Sequence, residues 1–165
     1  MLVHQQITSL FAVFVLISTP AIADVHLPHV ISDHMVLQRE RLIPIWGWAE
    51  PGEVVKVTLA DLTATTTADD KGQFRIDLPA MKAGGPHKLV VEGKNSLTFP
   101  DILVGEVWIC FGQSNMQWKL SQTPTGGQDI AKSTDPQLRV CNVDLVVATV
   151  PQSDGGASWS VSAPG

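Results

Sequence analysis

Across residues 54–92 the chain alternates apolar and polar side chains with a period of two. Val55, Val57 and Leu59 face one way, with Lys56 and Thr58 between them. Phe74, Ile76 and Leu78 alternate with Arg75 and Asp77, and Leu89 and Val91 with Lys88, Val90 and Glu92. A strand points successive side chains to opposite faces, so each segment predicts a half-buried strand. Turn-forming residues separate them: Glu50-Pro51-Gly52-Glu53, Asp70-Lys71-Gly72, Ala83-Gly84-Gly85-Pro86 and Gly93-Lys94-Asn95. The Thr-rich stretch 62–68 continues the pattern, and the apolar stretches HVISDHMVL (29–37) and IPIWGW (43–48) are β-prone. Helical periodicity is absent, and strands recur about every ten residues. The expectation is an antiparallel β-sandwich-like module over 24–103.

The pattern changes after residue 101. Ile102-Leu103-Val104 and Val107-Trp108-Ile109-Cys110 form a nearly unbroken apolar run, as in a strand buried on both faces of an α/β sheet. Phe111-Gly112-Gln113 makes a turn, and Ser114 or Asn115 caps a helix running on to Leu120. A short helix is expected over 128–133 and a second strand over 138–143. A third strand or an extended loop follows over 145–150, and a further strand begins at Trp159. The fold class expected is therefore mainly β, with residues 104–165 beginning an α/β segment.

Composition excludes some partners. The chain has 165 residues, 16% of them charged, with a formal net charge of −5. Its basic residues are scattered singly, so no stripe exists to follow a phosphate backbone, and nucleic acid is not an expected partner. Residues 1–23 hold no Asp, Glu, Lys or Arg, and the apolar run over 7–20 is short for a bilayer span. Ala21-Ile22-Ala23 supplies a small-x-small cleavage pattern, so 1–23 reads as a signal peptide cut before Asp24. An uncleaved anchor is the alternative. Export to a periplasm, the cell exterior or a eukaryotic lumen (lysosomal included) follows, with no membrane attachment after cleavage. Cys110 and Cys141 are free to pair in such a compartment, yet both sit in apolar contexts that equally suit buried thiols. No clustered His/Cys pattern suggests a metal, and no cofactor is expected.

The chemistry centres on VGEVWICFGQSNMQW (104–118). A serine hydroxyl needs a base to take its proton, and the oxyanion it creates needs amide donors. A serine between a strand and a helix N-terminus has part of the second requirement, because its own N–H faces the developing charge. Gly112 permits the tight turn. The G-x-S-x-G elbow fails here at Met116, so these residues alone leave a plain helix-capping serine open.

The strings ISDHMVLQRERLIPIWGWAEPGE (31–53), GQFRIDLPAMKAGGPHKLVVEGKN (72–95) and VGEVWICFGQSNMQW resemble the sialate O-acetylesterase family in order and spacing. The resemblance implies a β-rich module followed by an SGNH-type, flavodoxin-like hydrolase domain. It implies that Ser114 is the nucleophile, with its backbone N–H as an oxyanion donor. Gly112, Gln113 and Asn115 match the motif that shapes the turn and borders substrate. Phe111 and Gln117 depart from the family wording, where a small residue and Glu are expected. The family's catalytic Asp and His have no matching positions. All five histidines (His4, His26, His29, His34 and His87) precede Ser114, and His34 reads as a structural, hydrogen-bonded side chain.

The function expected is the N-terminal portion of an exported esterase that cleaves acetyl groups from a sugar or glycan, inactive on its own. The competing reading is a β-sandwich carbohydrate-binding or adhesion module without catalysis. Trp46 and Trp48 share one strand face and could stack on a sugar ring. Anchoring the core is the alternative role for both. Trp118 is expected beneath the active-site helix.

Overall fold

The alternating segments form the strands expected of them. In the computed structural model, which describes residues 24–164, the strands up to Gly105 are β1 (Val36–Gln38), β2 (Ile43–Trp48), β3 (Val54–Leu59), β4 (Leu62–Thr67), β5 (Gln73–Leu78), β6 (Gly84–Glu92) and β7 (Ser96–Gly105), the last beginning at a stretch, 96–101, where none was expected. The signal peptide expected over 1–23 lies outside the described residues. The fold is mainly β. Five strands make a curled sheet in the order β1-β7-β6-β3-β4, and β2 pairs with β5.

Alternation decides what is buried. Val55, Val57 and Leu59 of β3, Leu89 and Val91 of β6, and Ile102 of β7 form one side of the core. Ile43 and Ile45 of β2 with Phe74, Ile76 and Leu78 of β5 form the other. Each fully buried aliphatic side chain contributes about 1.5–3 kcal/mol, so this single cluster holds the module together. Val25, Ile31 and Met35 reach it from irregular chain.

Two glycines are required by position. Gly72 has φ +74 in the turn before β5, and a Cβ there would come within 2.5 Å of the Ala49 carbonyl oxygen. Gly47 sits where a Cβ would collide with the His26 carbonyl oxygen and press on the Leu27 side chain. The close approach of His26 to β2 follows: His26 and Trp48 exchange both backbone hydrogen bonds at 2.9 Å.

The structure departs from the sequence expectations at several places. Residues 29–37 are not one strand; only Val36–Gln38 extends, and 29–34 turns. The Ile31 N–H donates to the Pro28 carbonyl, and His34 has φ +67, outside the strand region. Ile31 and Met35 are apolar because a loop carries them into the core. Ala83-Gly84-Gly85-Pro86, expected to break the chain, lies partly within β6, whose pairing with β7 shifts register between Gly84, His87 and Leu89.

Ile102–Val104 belongs to β7 of the curled sheet, with Ile102 and Val104 buried and Leu103 between them half-buried. Val107–Cys110 forms no strand and is exposed, Trp108 at 83% and Ile109 at 85%. No described strand pairs with it, and an extended segment without a neighbour has no ladder to hold it. Nor is the sheet wholly antiparallel: β1 runs parallel to β7, Val36 opposite Leu103.

Beyond β7 the chain forms α1 (Gly126–Ala131), β8 (Asp135–Val143) and β9 (Ala157–Ser162). The pair β8–β9 is antiparallel, with Cys141 opposite Trp159. Residues 145–150 take the extended-loop alternative and form no strand.

Candidate functional site

Ser114 opens a four-residue 3₁₀ turn, Ser114–Gln117, preceded by Gln113 in an extended conformation. The Met116 N–H donates to the Gln113 carbonyl at 2.9 Å and the Trp118 N–H to the Asn115 carbonyl at 3.3 Å. Neither Ser114 nor Asn115 caps a longer helix through its side chain. A Cβ on Gly112 would lie 2.8 Å from Met116 Cγ, so the glycine lets the turn close on itself. Gly112, Gln113, Ser114 and Asn115 thus share one tight, exposed turn. Among the described residues no hydrogen bond involves the Ser114 hydroxyl. Trp118 is not wedged beneath anything; it is 69% exposed.

What holds this segment in place is the VLQR part of the SDHMVLQR string. The Arg39 N–H donates to the Gly105 carbonyl at 2.9 Å, and the Gln38 side chain accepts from the Val107 N–H at 2.9 Å. Gln38 also donates to Glu106, and Arg39 Nε donates to Glu106 Oε1 at 2.6 Å. The Gln38 and Arg39 hydrogen bonds hold the Glu106 carboxyl below its ordinary value, and Glu106 raises Arg39 in turn. The chain leading to Ser114 is therefore gripped where it leaves β7.

The SDH part grips β8–β9. His34 Nδ1 lies 2.6 Å from Asp101 Oδ2, and Arg139 Nη2 donates to both oxygens of the same carboxylate at 3.1 and 3.0 Å. The Arg139 side chain is only 4% exposed. The hydrogen bond from His34, aided by the Arg139 charge and opposed by burial, keeps the Asp101 carboxyl below its ordinary value. The Asp101 N–H donates to Asp33 Oδ1, and the His34 N–H to the Asp101 carbonyl. Nearby, His29 Nδ1 lies 2.6 Å from Asp154 Oδ2, and the Trp159 indole N–H donates to the Val30 carbonyl at 2.9 Å. Burial pushes the Asp154 carboxyl up, but hydrogen bonds from His29 and the Gly156 N–H outweigh it and leave it lowered.

Among the described residues two histidine–aspartate hydrogen bonds thus join distant parts of the chain, and sequence reasoning found neither. Their partners are 67 and 125 residues apart, a separation no local pattern reports. His34 is hydrogen-bonded, as expected of a structural histidine. Neither pair contacts Ser114 through a hydrogen bond. Cys110 and Cys141 are both free, and Cys110 is exposed rather than buried. Burial pushes the Cys141 thiol up, so it stays protonated and unreactive near neutral pH.

Cavities open on the described surface. One of ≈ 570 Å³ lies over the outer face of β2–β5, and one of ≈ 770 Å³ lies between β7 and β8 beside Asp101 and Arg139. Ser114 lines neither.

No family model matches the chain. It is 33% identical over 129 residues to the sialate O-acetylesterase of Mus musculus, covering 70% of this chain and 24% of that protein. It is 32% identical over 148 residues to the sialate O-acetylesterase of Rattus norvegicus, covering 81% and 27%. The structure superposes on a carbohydrate acetylesterase of Xanthomonas citri with a TM-score of 0.83 at 39% identity, covering 85% of this chain and 33% of that one. The chain thus spans about a quarter of the length of the curated relatives it matches.

Proposed function

The chain belongs to the sialate O-acetylesterase family, and from that premise we propose that it is the N-terminal part of a carbohydrate O-acetylesterase with Ser114 as nucleophile. The observation that carries the proposal is the 39% identity and close superposition with an acetylesterase across 85% of the chain. The exposed turn that presents Ser114 is compatible with it. Residues 24–103 act as a sandwich-like module and 104–165 as the opening of an SGNH-type, flavodoxin-like domain. An exported location, with 1–23 as the leader, completes the proposal.

In the proposed reaction the Ser114 hydroxyl attacks the acetyl carbonyl of a sugar ester and its proton passes to a base. The bond between the acetyl carbonyl carbon and the sugar oxygen breaks, the base returns that proton to the sugar oxygen so that the sugar leaves as an alcohol, and water then hydrolyses the acetyl-serine to acetate. The Ser114 N–H donates to the oxyanion. No histidine among the described residues is hydrogen-bonded to Ser114, so residues 1–165 alone are proposed to turn over no ester. Gln113 and Asn115 border the acyl group, and Phe111, 89% exposed beside them, is free to shape the pocket.

On a protein of the relatives' full length, Ser114→Ala should lower acetate release from acetylated sugars by roughly 10⁴–10⁶-fold. Activity retained in that variant would reject Ser114. On residues 1–165 a fluorophosphonate probe should label Ser114 poorly, and strong labelling would show that a base is already present.

A further inference from the structure

The outer face of β2–β5 is built by register. Trp46 stands opposite Arg75, Trp48 opposite Gln73, and Pro44 opposite Asp77. The residues between them, Ile43, Ile45, Phe74, Ile76 and Leu78, point into the core, so these six point away from it. Both tryptophans are half-buried; Trp46 packs in part against the core cluster, and Trp48 stacks on His26 at 4.9 Å and 13°. Arg75 does not cover an indole. Its Nε and Nη2 instead donate to Asp77 Oδ1 at 3.0 and 2.8 Å. Two of its five N–H groups are thereby used and three remain. Among the described residues the Gln73 side-chain amide makes no hydrogen bond, and Gln73 and Arg75 are exposed. The cavity of ≈ 570 Å³ above this face is lined chiefly by β2 and β5, Trp46, Trp48, Gln73 and Arg75 among them, with Asp69 and, from the later chain, Ser153. That size lies within the range of about 300–1,000 Å³ typical of small-molecule sites.

We propose that this face binds a neutral pyranoside. A pyranose presents C–H groups on its ring faces and hydroxyls around its rim. An indole satisfies the former; for the latter an amide both donates and accepts, and a guanidinium donates. Trp46 and Trp48 supply the planes, and Gln73 and Arg75 the adjoining polar row. Charge selects the class of sugar. Asp77 neutralises Arg75, and Asp69 adds a negative charge to the rim, so no unpaired cation awaits a carboxylate. A sialic acid or uronic acid is disfavoured relative to a neutral ring. The face is separate from the Ser114 turn, and the proposal does not rest on the esterase reading.

The test is titration of the isotope-labelled 165-residue chain with lactose, cellobiose and xylobiose, and with sialyllactose as the acidic counterpart of lactose. At least one neutral disaccharide should shift backbone amides of β2 and β5 and of the lining residues Asp69 and Ser153, and sialyllactose should bind more weakly than lactose. Trp46→Ala should weaken binding about tenfold. Because Trp46 also touches the core, Gln73→Ala and Arg75→Ala serve as surface variants, weakening binding with an unchanged thermal midpoint. Ser114→Ala should bind as the parent does. Absence of shifts with every neutral sugar, tighter binding of the acidic one, or unchanged binding in both surface variants would overturn the proposal.

Discussion

At the scale of the residue, Arg139 and Asp101 carry the join between the two parts of the chain. Arg139→Met leaves Asp101 with His34 alone and removes two charge-assisted hydrogen bonds, a loss of about 1–3 kcal/mol. Urea unfolding followed by the Trp159 indole N–H resonance should show a lowered midpoint. Asp101 titrates below its ordinary value in the folded chain, so its contribution to stability is complete above the unfolded carboxylate range, about pH 4. It is lost as pH falls through the lower folded value. Hydrogen exchange at the Trp159 indole N–H, measured through that interval, should rise in the parent and rise less steeply in Asp101→Asn. Gly47→Ala presents a different kind of failure, because its methyl meets the His26 carbonyl rather than a side chain that can turn away. A cost of about 1–3 kcal/mol is expected, visible as a fall of several degrees in thermal midpoint.

At the scale of the element, β3 and β5 were legible because each buries one face against one core, and period-two alternation is the direct image of that burial; β4 half-buries its inner face in the same rhythm. Residues 29–34 were not legible. Ile31 and Met35 look like strand residues by hydropathy, but the decisive feature is His34 in a left-handed conformation held by Asp101, which lies in another element. The stretch 107–110 misled for the converse reason: its apolarity reports what such a segment pairs with, and no described strand does so. The Ser114 turn was found from its motif, whereas its grip through Gln38 and Arg39 depends on contacts nearly 70 positions away. Breaking that grip with Gln38→Ala should free the start of the segment while leaving the core intact. Amide exchange at Val107 should quicken, with β3 and β5 unchanged.

At the scale of the whole molecule, the chain divides into a closed core and an open tail. Trp108, Ile109, Phe111, Trp118, Leu145 and Val147 are all largely exposed. This is apolar surface that a soluble monomer seldom leaves uncovered over a contiguous area. Limited proteolysis should cut first within 106–122 and 144–153, with the core spanning β2 to β7 surviving as the resistant product. Cleavage beginning inside β3 or β6 instead would contradict this division.

The parallel contact of β1 with β7 has a consequence for how the protein is made. Among the described residues β1 has no other hydrogen-bonded strand beside it, and β7 is the last strand of the five-stranded sheet to be synthesised. Pairing them closes nearly the whole module into one loop, an entropic step that local hairpins such as β3–β4 do not face. A chain emerging from the ribosome therefore cannot seat β1 until Gly105 has cleared the exit tunnel.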